Sequence, residues 1–209
     1  MIRLEIFAML LIFSSVFSTT VKPYSSKKFA SVDKQISEYT CGLAVLSTLF
    51  QEFFKLDIKQ HTMYDRYITN IIKEKRGITF LHMKKIANDF GFQAYGYKMN
   101  MPALREFIAR ATVPIIVHLN RHYSLKPIGH FVLLVGEVKN FFIIKDPAFG
   151  NMAYTEKQFL DTWSGNVLII LPEKTNKTMI DLSISNKSEA IKKAQEYINR
   201  IMYEQIWIY

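Results

Sequence analysis

Two kinds of hydrophobic spacing divide the chain into a helical first part and a strand-like second part. Before Pro114, apolar residues recur every three or four positions, which is typical of helices with one buried face. From Pro114 onward they form short β-branched and aromatic runs, which is typical of strands. Helices followed by a sheet predict an α+β domain in which the two layers pack face to face.

The first predicted helix covers residues 41 to about 54 and begins at the only cysteine of the chain, Cys41. Its spacing predicts one buried face, formed by Leu43, Leu46, Ser47, Phe50, Phe53 and Phe54. Thr40 precedes the helix, and its hydroxyl is expected to accept a backbone N–H of the first turn. Cys41 is therefore predicted at the N-terminus of a buried helix.

Three further helices are predicted within 61–76, 80–91 and 101–110. The second should end at Gly77, the third should start after the cap Thr79, and the fourth should start after the cap Asn100. Gly91 should take the left-handed conformation that ends the third helix. The predicted inner residues of the second and third helices are Met63, Tyr67, Ile71, Ile72, Leu81, Met83, Ile86, Ala87 and Phe90.

Four strands and two helices are predicted in the second part of the chain. The strands are "PIIVHLN", "HFVLLVGEV", "FFIIKD" and "VLIILP", and "TEKQFLDTW" between the last two is predicted to hold a short helix. A final helix is expected over about 187–206. Its apolar stripe is formed by Ile191, Ala194, Ile198, Ile201 and Met202.

The first 18 residues have the pattern of a secretory signal peptide. Arg3 lies near the amino terminus, an apolar run follows, and Val16 and Ser18 suit a cleavage after residue 18. A short membrane anchor or buried helix is the alternative, although the run is shorter than the roughly 20 residues that cross a bilayer. We therefore expect a periplasmic or secreted protein. The predicted divisions are a signal peptide at 1–18, a linker at 19–29, one domain at 30–172 and a C-terminal extension with a helix at 173–209.

Charge and cysteine content exclude several classes of protein. The chain of 209 residues has a formal net charge of +9, but its lysines and arginines are scattered. A scattered charge favours a solvated surface, or work near anionic envelope surfaces or acidic substrates, and it argues against nucleic-acid binding. A single cysteine forms no internal disulfide, and the histidines have no metal-ligand spacing, so no cofactor or metal is expected.

Cys41 has the position of a nucleophile. A thiol at a helix N-terminus meets the positive end of the helix dipole, which favours the thiolate. The alternative is that Cys41 is a small buried apolar residue that happens to lie near a helix cap. The choice between these interpretations depends on whether a base and an orienting group are available.

His130 is the preferred candidate base, because it opens a strong strand directly after Gly129. Asp146 ends the next strand, and an antiparallel hairpin around "EVKN" would bring it within hydrogen-bonding reach of His130. A carboxylate there would orient the imidazole, although an Asp before Pro is also a common turn residue. Gln35, six residues before Cys41, could donate its amide N–H to an oxyanion, or be an exposed loop residue.

The other four histidines have less distinctive surroundings. His61 and His82 lie in helical segments with polar neighbours, where a structural role is expected. His118 lies within a predicted strand and His122 in a loop, which leaves substrate contact open for both.

Taken together, "QISEYTCGLAVLSTLF", "GITFLHMKKIANDFGF", "PIIVHLN", "GHFVLLVG" and "IIKDPAFGNMAYTEKQFLDTWSG" resemble the double-glycine leader peptidases. These are papain-like cysteine peptidases that process bacteriocin precursors, often as a domain of an export transporter. The resemblance runs from about residue 35 to 172. It implies a papain-like fold with Cys41 as nucleophile, His130 as general base and acid, Asp146 as orienting acid and Gln35 as oxyanion donor.

The sequence departs from the transporter-linked members in two ways. Thr40 stands where those members usually have aspartate, and no Walker motif or transmembrane bundle is present in the sequence. Standalone exported members resemble the peptidases that accompany functional-amyloid secretion systems.

The leading hypothesis is a monomeric cysteine endopeptidase that cleaves exported precursor or leader peptides after small residues such as Gly-Gly. Its substrate would be a peptide or protein such as an amyloid or bacteriocin precursor, and it would work beside secretion machinery. A groove for a leader helix could be lined by Phe53, Phe54, Tyr67 and Tyr95, which would otherwise be core residues. The alternatives are a non-catalytic substrate-binding module and an acyl transferase on the same scaffold.

Overall fold

The fold is described from a computed structural model, which covers residues 28–73, 77–121 and 128–206. The predicted signal peptide, most of the linker, and His122 lie outside the described residues. The same holds for the side chains of Ile71, Ile72, Ile201 and Met202, so their predicted inward positions stay predictions. Among the described residues, no helix combines the length and the apolar character that a membrane crossing requires.

Among the described residues, three helices precede the first strand and form the helical layer. Helix α1 spans Cys41–Thr48 and continues into a short π-helical segment at Leu49–Phe53, while α2 spans Gln60–Lys73 and α3 spans Phe80–Asp89. Every residue of α1 is buried, so this helix is enclosed on all sides instead of presenting the single buried face that was predicted.

Helix α3 confirms its predicted cap and corrects one inner residue. Thr79 and His82 form a capping box, in which Thr79 Oγ1 accepts the backbone N–H of His82 and His82 Nδ1 accepts that of Thr79. Gly91 has the predicted positive φ of 82°. Leu81, predicted to face inward, is 74% exposed, because the second position of α3 lies on the outer side of the first turn.

A six-stranded antiparallel sheet forms the second layer. Its strands are β1 (Gln93–Lys98), β2 (Ile115–Arg121), β3 (Ile128–Val138), β4 (Phe141–Asp146), β5 (Gly150–Thr155) and β6 (Trp163–Leu171). They lie in the order β1-β6-β2-β3-β4-β5. The four predicted strands are confirmed. The edge strands β1 and β5 were missed because most of their residues are exposed or half-buried, so neither has a clear apolar run.

The predicted hairpin is formed by β3 and β4. The two strands pair antiparallel, with Leu133 opposite Lys145, and they turn at Lys139 and Asn140, which both have positive φ. Two further helices, α4 (Met101–Arg110) and α5 (Glu156–Leu160), confirm the predicted fourth helix and the predicted short helix. The α+β prediction, with helices packed on an antiparallel sheet, is confirmed.

The final helix, α6, spans Lys177–Ile206 and therefore starts ten residues earlier than predicted. The sequence "KTMIDLSISN" was not recognised as helical because serine, threonine and asparagine are weak helix formers. Three polar side chains hold α6 to the domain. Ser183 and Lys187 donate to backbone carbonyls at the end of α4, and Asn186 donates to the Phe53 carbonyl.

Candidate active site

Cys41 is the first residue of α1 and lies at the boundary between the helical layer and the sheet. It is buried, and its side chain lies close enough to His130, near the start of β3, to raise the pKa of that imidazole. The two residues are 89 positions apart in the chain. They meet because α1 packs against β3.

Thr40 does not cap α1 as predicted. Its hydroxyl accepts the backbone N–H groups of Ile36 and Ser37 and donates to the Ser37 carbonyl. The reason is the tight turn at residues 37–40, which points the Thr40 hydroxyl backward along the chain. The first-turn N–H groups beside Cys41 therefore lack this hydroxyl as a partner.

Asp146, at the end of β4, makes the predicted contact with His130. Its Oδ1 lies 3.0 Å from His130 Nε2, and it also accepts the backbone N–H groups of Ala148 at 2.8 Å and Phe149 at 3.1 Å. A carboxylate can only accept, so Nε2 carries the proton and Nδ1 is the unprotonated nitrogen of the neutral ring. Asp146 therefore has both of the roles that the sequence left as alternatives. It begins the turn after β4, and it is the hydrogen-bond partner of His130.

Arg121, the last residue of β2, completes the buried polar cluster and was not identified from the sequence. Its Nη2 donates to Asp146 Oδ2 and, at 3.2 Å, to the hydroxyl of Tyr154. The sequence held one relevant signal: a buried carboxylate requires a counter-charge, and Arg121 ends the strand beside the start of β3.

These contacts shift the pKa values of the buried pair in opposite directions. Burial favours the neutral imidazole, but the hydrogen bonds to Asp146 and Cys41 outweigh it and raise the pKa of His130 above its ordinary value. Burial likewise favours a protonated Asp146. The hydrogen bond and charge of His130, with the charge of Arg121, outweigh it and lower the pKa of Asp146.

Gln35 lies beside the cluster, but its amide nitrogen is already engaged. Nε2 donates to the Ser37 carbonyl at 3.1 Å, and the backbone N–H of Gln35 donates to the carbonyl of Pro147 at 3.0 Å. Its Oε1 is buried and, among the described residues, has no hydrogen-bond partner. Gln60 of α2 anchors this segment, because its side-chain amide bonds both Lys34 O and Ile36 N.

His118 lies on β2 near His130 but is not part of the hydrogen-bonded cluster. The Ser164 hydroxyl donates to the His118 carbonyl, so it must accept from Nδ1 at 3.0 Å, which leaves Nε2 unprotonated. Burial lowers the pKa of His118, and the nearby charge of His130 lowers it further. Nε2 lies over Gly129, where an added Cβ would come within 2.6 Å of it.

The remaining predicted candidates have structural positions. His61 is exposed on α2, and His82 belongs to the α3 capping box. Of the four aromatic residues suggested for a leader groove, Phe53, Phe54 and Tyr67 are buried in the core, and Tyr95 is exposed on β1. The suggested groove is therefore wrong for three of its four residues, because they fill the space between α1, α2 and α3.

A Cys-His-Asp cluster at the junction of a helical layer and an antiparallel sheet is the arrangement of papain-like peptidases. The comparison with known proteins agrees, because the sequence profile of the Peptidase C39 family matches residues 30–175. The chain belongs to the Peptidase C39 family and is a peptidase.

The curated relatives include two proteins named probable functional amyloid protease FapD. The one from Pseudomonas fluorescens is 25% identical over 186 residues, which is 88% of this chain and 79% of that protein. The one from Pseudomonas aeruginosa is 23% identical over 154 residues, which is 72% of this chain and 65% of that protein.

Solved structures show the same fold. The peptidase domain of Streptococcus ComA, a bi-functional ABC transporter involved in a quorum sensing pathway, is 25% identical and has a TM-score of 0.58. The alignment covers 68% of this chain and 98% of that domain. A double glycine motif protease from an AMS/PCAT transporter, solved with a leader peptide, has 24% identity and a TM-score of 0.52. It aligns over 68% of this chain and 90% of its own. The resemblance to double-glycine leader peptidases is confirmed.

Proposed function

We propose that this protein is a cysteine endopeptidase that cleaves exported precursor or leader peptides after small residues such as Gly-Gly. The observation that carries the proposal is the contact between the Cys41 side chain and an imidazole whose other nitrogen is held by Asp146. A thiol, a base and an orienting carboxylate in line are the parts that acyl transfer through a thioester requires.

The proposed reaction uses each group in turn. His130 Nδ1 takes the thiol proton, and the Cys41 thiolate attacks the scissile carbonyl carbon to form a tetrahedral oxyanion. The carbonyl then re-forms, the C–N bond breaks, and the imidazolium gives its proton to the leaving amine. Water, deprotonated by His130, attacks the thioester and releases the acid and the free thiol. Asp146 remains ionised and keeps Nε2–H oriented throughout.

The oxyanion would be stabilised at the start of α1. The N–H of Cys41 is one proposed donor, and the displaced Thr40 hydroxyl does not compete for it. Gln35 is the other proposed donor. Its NH₂ group now donates to the Ser37 carbonyl, so substrate binding would have to draw it from that carbonyl to the oxyanion.

One surface feature supports a leader peptide as the substrate. Ile36, Tyr39 and Leu81, on the segments around α1 and α3, are large apolar side chains left more than half exposed. Exposed apolar side chains of this kind suit the apolar face of a leader helix.

The proposed setting is the periplasm or the cell exterior, after removal of the signal peptide at residues 1–18. The relatives named as functional amyloid proteases favour an amyloid precursor as substrate, handled beside secretion machinery.

A single-turnover assay tests the proposal. Wild-type protein in excess should cleave a Gly-Gly leader peptide, and Cys41→Ala should reduce the rate by several orders of magnitude, because the cysteine and histidine act as one unit. A peptide with Val-Val at the same position is the substrate control. Equal product from the wild type and Cys41→Ala would remove the peptidase mechanism.

The same assay separates the two alternatives. Incorporation of added hydroxylamine in excess of hydrolysis would indicate an acyl transferase. Binding of the peptide without cleavage, together with a Cys41 that reacts with iodoacetamide no faster than a free thiol, would indicate a binding module.

A further inference from the structure

Arg121 is a buried cation at the proposed site, and the reaction as proposed gives it no task. The residue is 5% exposed, and a guanidinium is costly to bury unless it is paired. Its neutral partner is the Tyr154 hydroxyl on β5, and its charged partner is Asp146, the carboxylate that orients the proposed base.

The two oxygens of Asp146 have separate partners. Oδ1 accepts from His130 and from two backbone N–H groups of the following turn, while Oδ2 accepts from Arg121. Rotation of the carboxylate would break bonds at both oxygens. Arg121 therefore fixes the plane of the group that fixes the imidazole.

Arg121 itself is held from two further directions. Its Nη2 also donates to the Tyr154 hydroxyl, and its guanidinium carbon lies 4.7 Å from the centre of the Phe149 ring. Phe149 belongs to the same turn whose N–H group bonds Asp146. The cation, the carboxylate and the turn thus form one rigid unit built from β2, β4 and β5.

We propose that Arg121 is a positioning residue that orients Asp146 and offsets its charge, so that the imidazolium of His130 can release its proton to the leaving amine. This inference rests on the proposed peptidase function. It concerns a side chain that would act through Asp146 and not on the substrate directly.

Titratable and charged groups face His130 from α1, β2 and β4. They are Cys41 from α1, Asp146 from β4, and Arg121 and His118 from β2. Asp146 stabilises the imidazolium and Arg121 destabilises it. Without the cation, the carboxylate would hold the imidazolium more tightly, and proton transfer to the leaving amine would be slower.

Two substitutions separate charge from packing. Arg121→Gln keeps a hydrogen-bond donor for Asp146 but removes the charge, whereas Arg121→Lys keeps the charge and loses the planar group. Arg110→Met is the control, because Arg110 is exposed on α4 and forms an ion pair with the surface carboxylate Glu106. Retention of the fold is checked by circular dichroism for each variant.

The first readout is the titration of the His130 ring followed by NMR, which does not depend on activity. We expect an upward shift of about one pH unit in Arg121→Gln and of less than about 0.3 units in Arg121→Lys and in Arg110→Met. A His130 titration in Arg121→Gln that is unchanged or moved downward would overturn the proposal, whether or not the protein cleaves peptides.

The second readout is kcat/KM for the Gly-Gly peptide as a function of pH. Arg121→Gln should lose at least about tenfold at pH 7, and the alkaline limb of its profile should move up with the imidazolium pKa. Arg121→Lys should recover to within about threefold of the wild type. If the glutamine variant does not fold, a lysine variant that folds, titrates normally and still loses more than about tenfold would overturn the role of the charge.

Failure of the two proposals looks different. A wild-type protein that cleaves nothing, with the His130 shift present in Arg121→Gln, would remove the peptidase function and keep the electrostatic effect of Arg121. Cleavage by the wild type, with no change in the His130 titration or in the rate when Arg121 is substituted, would keep the peptidase function and remove the role of Arg121.

Discussion

Lys145 provides a quantitative prediction about stability, because it is a cation buried one residue before Asp146. Its side chain borders a cavity of about 570 Å³ that is also lined by residues of α6, and it is 7% exposed as a residue. Its Nζ donates to Ser31 O at 3.0 Å and to Asn151 Oδ1 at 3.2 Å. Both acceptors are uncharged, so they do not replace the lost hydration of the ammonium.

Burial therefore lowers the pKa of Lys145 from 10.5 to about 8. Below pH 8 the amine is charged in both the folded and unfolded states, and the folded state carries the full desolvation cost. Between about pH 8 and 10.5 the unfolded chain binds more protons than the folded one, so stability rises with pH. At about 1.4 kcal/mol per unit, this group should contribute a rise of about 2.5 kcal/mol between pH 7 and pH 10.

The assay is urea unfolding of the wild type and Lys145→Met at pH 7, 8, 9 and 10. The difference between their free energies of unfolding should change by about 2.5 kcal/mol in favour of the wild type as the pH rises. Lys84→Met, a substitution at an exposed position of α3, is the control and should show no such trend. A wild-type minus Lys145→Met difference that stays constant with pH would refute the reasoning.

Two glycine contacts give further predictions. Gly129→Ala should reduce cleavage at least about tenfold, because the new methyl group would clash with the His118 ring and push the strand that carries His130 out of place. Adding His118→Ala should relieve the clash and restore part of the rate, and a double variant no faster than the single one would contradict this. Gly42→Ala should cost about 1–3 kcal/mol of unfolding free energy in urea, because its Cβ would meet Ile78 at 2.6 Å and Met83 at 2.9 Å. An unchanged urea midpoint would show that these side chains move aside freely.

The sequence predicted the elements with strong periodicity and missed those without it. Helix α3 and strand β3 have clear apolar spacing and capping or turn residues, and both were predicted from those signals. Strand β5, "GNMAYT", is held by pairing with β4 and not by its own hydrophobicity. An exposed edge strand has no apolar run of its own, even when its partner directly precedes it in the chain.

The sequence predicted those parts of the candidate site that depend on a single residue or on two strands joined by one turn. The contact between His130 and Asp146 followed from one hairpin, because a tight turn sets which residues meet. Arg121 could not be selected among the scattered basic residues, since its burial depends on how β2, β4 and β5 come together. The partners of the Thr40 hydroxyl could not be predicted either, because the turn at residues 37–40 determines which N–H groups it reaches.

The sulfur of Cys41 belongs to the helical layer, whereas the imidazole and the carboxylate belong to the sheet. The proposed chemistry at this thiol therefore requires the two layers to be docked, so that Cys41 lies beside His130. Partial separation of the helical layer from the sheet by heat or denaturant would abolish activity while each layer kept its secondary structure. Activity that is lost before the circular dichroism signal changes would therefore measure how firmly the helical layer packs on the sheet.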